Sequence, residues 1–159
     1  MKFALITLAA SLVAGGVAFA LTSPAAPANN VLAGDWRCND TVSGHEGVTL
    51  MTVATDGAAK SRFLFNDEVE GHRIVVNGTF SGRVSIEKGE FVEAVESVRV
   101  TDVSLDGQPV PAALKAEIVA SMKPQSFRYK LDELAPNRLI FSDKDGRSLC
   151  DRAPTALNL

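Results

Sequence analysis

Two histidines, His45 and His72, lie in or beside turn-forming stretches, with Glu46, Asp67, Glu68 and Glu70 close by in sequence. Two imidazoles and a carboxylate form a donor set that zinc accepts. Polar side chains of the same types also bond the local backbone in turns. That second reading fits these positions better, and no metal site is expected. Ser85-Ile86-Glu87-Lys88 has the S-x-x-K spacing of a serine nucleophile and its lysine. The chemistry needs both side chains on one helical turn, whereas residues three apart on a strand point to opposite faces. Asp143-Lys144-Asp145-Gly146 opens like a calcium loop but lacks the third oxygen ligand and the closing glutamate, so it reads as a hairpin turn. No G-x-S-x-G, H-E-x-x-H, phosphate-loop or dinucleotide fingerprint occurs. With no paired acid and base, neither catalysis nor a cofactor is expected.

One further polar feature is the pair Glu93 and Glu96, flanked by valines. On a strand Glu93 shares a face with Phe91 and Val95, so it either lines an interior cavity or marks that face as the solvent side. Carboxylates are seldom buried unpaired, and the solvent side is the expectation.

The elements that position these residues begin after an apolar leader. Residues 1–20, MKFALITLAASLVAGGVAFA, combine one lysine, a charge-free apolar run and a small-x-small end, the form of a secretory signal peptide. An uncleaved membrane anchor is the competing reading. Residues 21–31 read as a linker, residues 32–152 as a single domain, and residues 153–159 as a tail. Cleavage would remove only Lys2 from 16 basic side chains against 19 acidic, leaving the chain one charge more acidic than its formal −3. The basic residues are scattered singly, which argues against nucleic acid or an anionic membrane as partner. A periplasmic or secreted monomer is expected. In such a compartment the only two cysteines, Cys38 and Cys150, form one disulfide. Its loop spans nearly the whole domain and is worth on the order of 4 to 5 kcal/mol in the chain-entropy model.

Within the domain, short stretches of period-two alternation are punctuated by turn dipeptides. Residues 48–55 and 60–66 flank Asp56-Gly57 as a hairpin. The stretch from His72 to about Ile86 contains Gly78 and Gly82, which suggest a bulge or bend. Residues 91–105 are long for one strand, and their apolar phase slips from Val92, Ala94, Val98 and Val100 to Val103 and Leu105. A strand that changes face partway suits a strongly coiled sheet. Residues 110–122 read as one amphipathic helix with Leu114, Ile118 and Met122 at i, i+4 and i+8, covering an open end or flank of the sheet. Phe127, Tyr129 and Leu131 then alternate with charged residues, and a last hairpin turns at Lys144-Asp145-Gly146. The fold class is therefore mainly β: an antiparallel barrel or closed sandwich with one helix before the C-terminal strands.

The parity of the cysteines makes a sharper statement. Trp36 and Cys38 share a face of the first strand, as Cys150 and Arg152 do on the last. If those strands run antiparallel and the disulfide joins opposed residues, residue 36 falls opposite residue 152, and Arg152 lies against the only indole of the chain. Gly34-Asp35-Trp36 on the first strand, with an arginine on the last strand packed over the tryptophan, resembles the signature of the lipocalins and the wider calycin group. The resemblance implies a calycin-like barrel in which Gly34, Trp36 and Arg152 are structural and bind no ligand. The chain departs from that group in placing its helix before the final hairpin and in lacking the second and third motifs.

Two functions follow. One is an exported binding module that holds an apolar or amphipathic small ligand in the barrel mouth, gated by the helix. Its candidate ligand-contacting residues are Phe63, Phe65, Phe80, Tyr129 and Phe141, with Val76, Val98 and Val100 also facing the core. The other is an inhibitor or accessory protein that binds a protein partner through its surface, for which the turns around 40–47 and 67–72 are the candidates. A filled barrel would count against the first reading, and an empty apolar one against the second.

Overall fold

A computed structural model describes residues 31–42 and 45–154. The segments read as signal peptide, linker and tail lie outside the described residues, apart from Val31, Ala153 and Pro154. The strands are β1 (Gly34–Val42), β2 (His45–Val53), β3 (Ala58–Val69), β4 (His72–Glu87), β5 (Glu90–Leu105), the two-residue β6 (Gln108–Pro109), β7 (Gln125–Ala135), β8 (Arg138–Ser142) and β9 (Gly146–Arg152). The helix α1 (Ala112–Ser121) lies between β6 and β7.

Each long strand pairs antiparallel with its neighbour in the chain, β5 pairs with β7 across the helical insertion, and β1 pairs with β9. The sheet therefore closes as an eight-stranded barrel in the order β1-β2-β3-β4-β5-β7-β8-β9, and β6 only extends the end of β5. Closure removes the free edges that an open sheet would expose. Of the two architectures expected, this is the barrel and not the sandwich.

The β4–β5 pair shows how the wall is bent. On β4 the even-numbered residues from Ile74 to Ile86 face one side throughout. On β5, Glu96 and Thr101 are extra residues without an opposed partner, at the two register shifts beside Gly82 and Gly78. Each extra residue restores the phase, so the inward set of β5 is Phe91, Glu93, Val95, Val98, Val100, Val103 and Leu105. The expected slip is real, but it occurs twice, and the first part of the strand has the opposite face to the one assigned: Val92 and Ala94 point outward. Gly82 is required at the first bulge, because a Cβ there would stand 1.9 Å from the Ala94 carbonyl oxygen.

The interior holds two apolar clusters. One gathers Leu32, Trp36, Met51, Val53, Phe91, Leu139 and the disulfide at the end where β1 begins and β9 finishes. The other gathers Phe63, Ile74, Val76, Val103 and Ile118 towards the opposite end, beneath α1.

Candidate ligand site in the barrel lumen

The closed end follows the parity argument. Cys38 is opposite Cys150 and Trp36 opposite Arg152, and the disulfide is formed. The Arg152 guanidinium lies 3.9 Å above the indole. Trp36 is completely buried, and its Nε1 donates to the Leu32 carbonyl at 2.7 Å. Arg152 donates from Nη2 to the Val31 carbonyl at 2.7 Å, from Nε to Pro136 O at 2.9 Å, and from Nη1 to Ala33 O. One side chain thus fastens the incoming segment, the β7–β8 turn and the indole. Gly34, at φ +125°, passes beneath it, where a Cβ would meet the guanidinium at 2.3 Å.

Above this plug lies a cavity of about 270 Å³. It reaches from the disulfide to a rim that includes Glu46, Lys123 and Asp143. All five residues expected to contact ligand, Phe63, Phe65, Phe80, Tyr129 and Phe141, line it, as do Val76 and Val98. Alternation explains their convergence, since each occupies an inward position of its strand. Their rings form two stacks: Phe63 packs on Phe65 and Phe80, while Phe91 and Phe141 pack at 4.4 Å between centroids with Tyr129 beside them. Val100 does not line the cavity but packs against the second apolar cluster.

The helix stands over the rim. Ile118, Ser121 and Met122 contribute to the lining, Ile118 is the buried residue of α1, and Leu114 and Met122 are half-buried against the same cluster. Lys115 Nζ donates to the Thr101 carbonyl at 2.8 Å. The expected stripe is present and rests on the barrel mouth.

The polar part of the wall differs from expectation. Glu93 does not face solvent; it points into the lumen between Phe91 and Val95 and lines the cavity. Protein encloses it, and its remaining surface is the part it shows to the cavity. It makes no hydrogen bond or ion pair among the described residues. Burial, together with the charge of Asp40, pushes its carboxyl up to about 7. Asp40 also lines the lumen. Its Oδ2 accepts from Thr49 Oγ1 at 2.8 Å, and Ser148 supplies a second donor. Burial still holds its carboxyl above the usual aspartate range, against those hydrogen bonds. Burial likewise raises the Tyr129 phenol, reinforced by the nearby Glu93 charge.

Residue types alone did not single out Asp40, although the same parity reveals it: residues 36, 38 and 40 share one face of β1. The other candidate groups are dispersed. His72 is exposed and its Nδ1 lies 2.7 Å from Asp106 Oδ2; the His45 side chain lies outside what is described. Among the described residues no three metal-ligating side chains cluster. Ser85 Oγ donates to Glu87, and Asp143 Oδ1 accepts from the backbone N–H groups of Asp145 and Gly146, making the hairpin turn. The disulfide is compatible with an extracellular or periplasmic setting, and among the described residues no helix is long and apolar enough to cross a membrane.

No family model matches the chain, and no curated protein does. Among solved structures, a lipocalin-like protein from Bacteroides uniformis ATCC 8492 is similar at 13% identity and a TM-score of 0.36, over 77% of this chain and 99% of that one.

Proposed function

We propose that the protein is an exported binding module that holds a small apolar or amphipathic ligand inside its barrel. The observation that carries this reading is the lumen itself: an eight-stranded barrel either fills with its own side chains or holds one small ligand, and here about 270 Å³ stays open beneath the helix, walled by Phe63, Phe65, Phe80, Tyr129 and Phe141. Barrel mouths are common ligand sites. An apolar cavity of roughly 150 Å³ already accepts benzene, so the space suits a single ring or a short chain and not a long lipid. A hollow apolar barrel also counts against action through the surface alone. The leader-like residues 1–20 and the disulfide support export to the periplasm or medium.

Native mass spectrometry of the protein purified from its own host's periplasm or medium tests both parts. The expected result is a mature mass lacking residues 1–20, 2 Da below the all-thiol value, with a small molecule that is lost on denaturation. An unprocessed mass would overturn export. A protein that carries nothing and takes up none of a panel of ring-sized molecules would overturn the binding module.

A further inference from the structure

Asp40 and Glu93 come from strands four places apart in a ring of eight, so they approach each other from opposite walls of the barrel. They differ in how they are held. Asp40 has hydroxyl donors from Thr49 and Ser148 on the two neighbouring strands, an arrangement that fixes it as an acceptor. Glu93 is enclosed, points into the cavity, and has no partner among the described residues. An isolated carboxyl in an apolar lumen is costly and is retained where something else completes it.

No basic side chain among the described residues bonds or pairs with either carboxyl. The cavity lining carries Asp40, Glu46, Asp67, Glu93 and Asp143 against only Lys123 and Arg147. Glu46, Asp143, Lys123 and Arg147 are exposed at the rim, two acids against two bases, which leaves Asp40, Asp67 and Glu93 as the charged groups of the interior. The lumen is therefore acidic as well as aromatic. Aromatic faces and carboxylates have one ligand chemistry in common, a cation with an apolar body.

We propose that the lumen takes a small organic cation, an apolar group of about one aromatic ring carrying a protonated amine that lies between the Asp40 and Glu93 carboxyls. This deepens the binding-module reading and rests on it. The amine donates to Asp40 and Glu93 while the ring packs among Phe63, Phe91 and Phe141. A neutral ligand of the same shape leaves Glu93 unpaired, and an anion meets two carboxyls. Recognition also depends on pH. The titratable groups that act on Glu93 are Asp40 from β1 and Tyr129 from β7, and Asp143 from the β8–β9 turn acts on Tyr129; Asp67 lines the same lumen, with Glu46, Lys123 and Arg147 exposed at the rim. Loss of the Glu93 proton as pH rises past neutrality strengthens the cation site.

The test uses three probes of one size, 2-phenylethylamine, 2-phenylethanol and phenylacetate, titrated calorimetrically into the disulfide-intact protein. The amine is expected to bind at least tenfold more tightly than the alcohol at pH 8, with phenylacetate weakest and the amine's advantage shrinking several-fold at pH 5.5. In Glu93→Gln and Asp40→Asn, with circular dichroism confirming the fold, the ratio of amine to alcohol affinity is expected to fall towards one. Alcohol or phenylacetate binding as tightly as the amine in the unaltered protein would overturn the cation site and leave the binding module standing. If none of the three binds, the cation site is overturned, while the binding module stands or falls on the co-purified molecule and the wider panel of ring-sized probes. An amine preference that survives both substitutions would place the cation elsewhere and overturn the assignment.

Discussion

The two ends of this barrel treat buried polar groups in opposite ways. At the closed end every strong donor is matched: the indole N–H meets the Leu32 carbonyl, and the guanidinium meets three carbonyls while lying over the ring. Towards the open end two carboxyls face an apolar lumen, and Glu93 has nothing to bond among the described residues. The closed end is arranged to hold the fold together. The open end keeps an unsatisfied group at the expense of stability, and local rules are most often violated where a protein functions.

The largest expected effect belongs to the closed end. The disulfide joins positions separated by 112 residues, so its removal in Cys38→Ala/Cys150→Ala frees a loop worth about 4 to 5 kcal/mol in the chain-entropy model. Urea unfolding should show a loss of that order, and a loss below about 1 kcal/mol would mean that the Trp36–Arg152 clasp closes the barrel without it.

At the other end, Glu93→Gln is expected to stabilise the protein at alkaline pH. In the folded state its carboxyl is raised to about 7 from an ordinary value of 4.5, so the folded protein keeps a proton that the unfolded chain gives up. The stabilising contribution is complete below about pH 4.5 and is lost as pH rises through 7. At pH 8 the wild type thus bears an enclosed carboxylate whose cost is about 3 kcal/mol. The glutamine variant should escape it, with the two proteins converging near pH 4.5. Denaturant unfolding at pH 4.5, 6 and 8 measures this, and parallel profiles would show that solvent reaches Glu93 freely.

How much of this difference was legible in the sequence depends on parity. Trp36, Cys38, Cys150 and Arg152 fix the register of the seam because each pair is two residues apart and a single covalent constraint aligns them. Phe63, Phe65, Phe80, Tyr129 and Phe141 converge for the same reason, on strands whose alternation is clean. The acid pair was hidden by two effects. Phe91 and Val92 are adjacent and both buried, so alternation does not choose between their faces: Phe91 fills the core, while on the outside Val92 lies opposite Arg128, which bridges Glu87 and Glu90. The cost of burying Glu93 then tipped the choice the wrong way. The bulges at Glu96 and Thr101 add residues without an apolar signature, so their positions come only from the pairing with β4.

A smaller effect returns to the clasp. Arg152→Lys keeps the charge above Trp36 but replaces a planar fork with a single point donor. Lysine cannot reach Val31, Ala33 and Pro136 together, and the expected loss is about 2 kcal/mol, the scale of a charged hydrogen bond left unmade. Thermal unfolding measures it, with Glu93-dependent behaviour between pH 4.5 and 8 expected to be unchanged. A changed pH profile would show that the two ends are coupled through the barrel wall.

The smallest expected effect concerns the helix, and it asks whether the open end moves independently of the rest. α1 has ten residues, no side-chain cap, no acidic residue in its first turn and no basic residue in its last. A helix of that length is marginal on its own, so it is held by Ile118, by the half-buried Leu114 and Met122, and by the Lys115 bond to the Thr101 carbonyl. Thr101 is itself the bulged residue of β5, which ties the helix to the bend in the wall. Removing that exposed bond in Lys115→Ala should cost the whole protein less than about 1 kcal/mol. Local opening of α1 should nevertheless become easier, because fewer contacts oppose it. Hydrogen exchange is expected to show faster exchange across residues 112–121 with protection in β1 and β9 unchanged. Uniform acceleration in helix and strands alike would mean that α1 opens only when the barrel unfolds, and the mouth would then have no lid of its own.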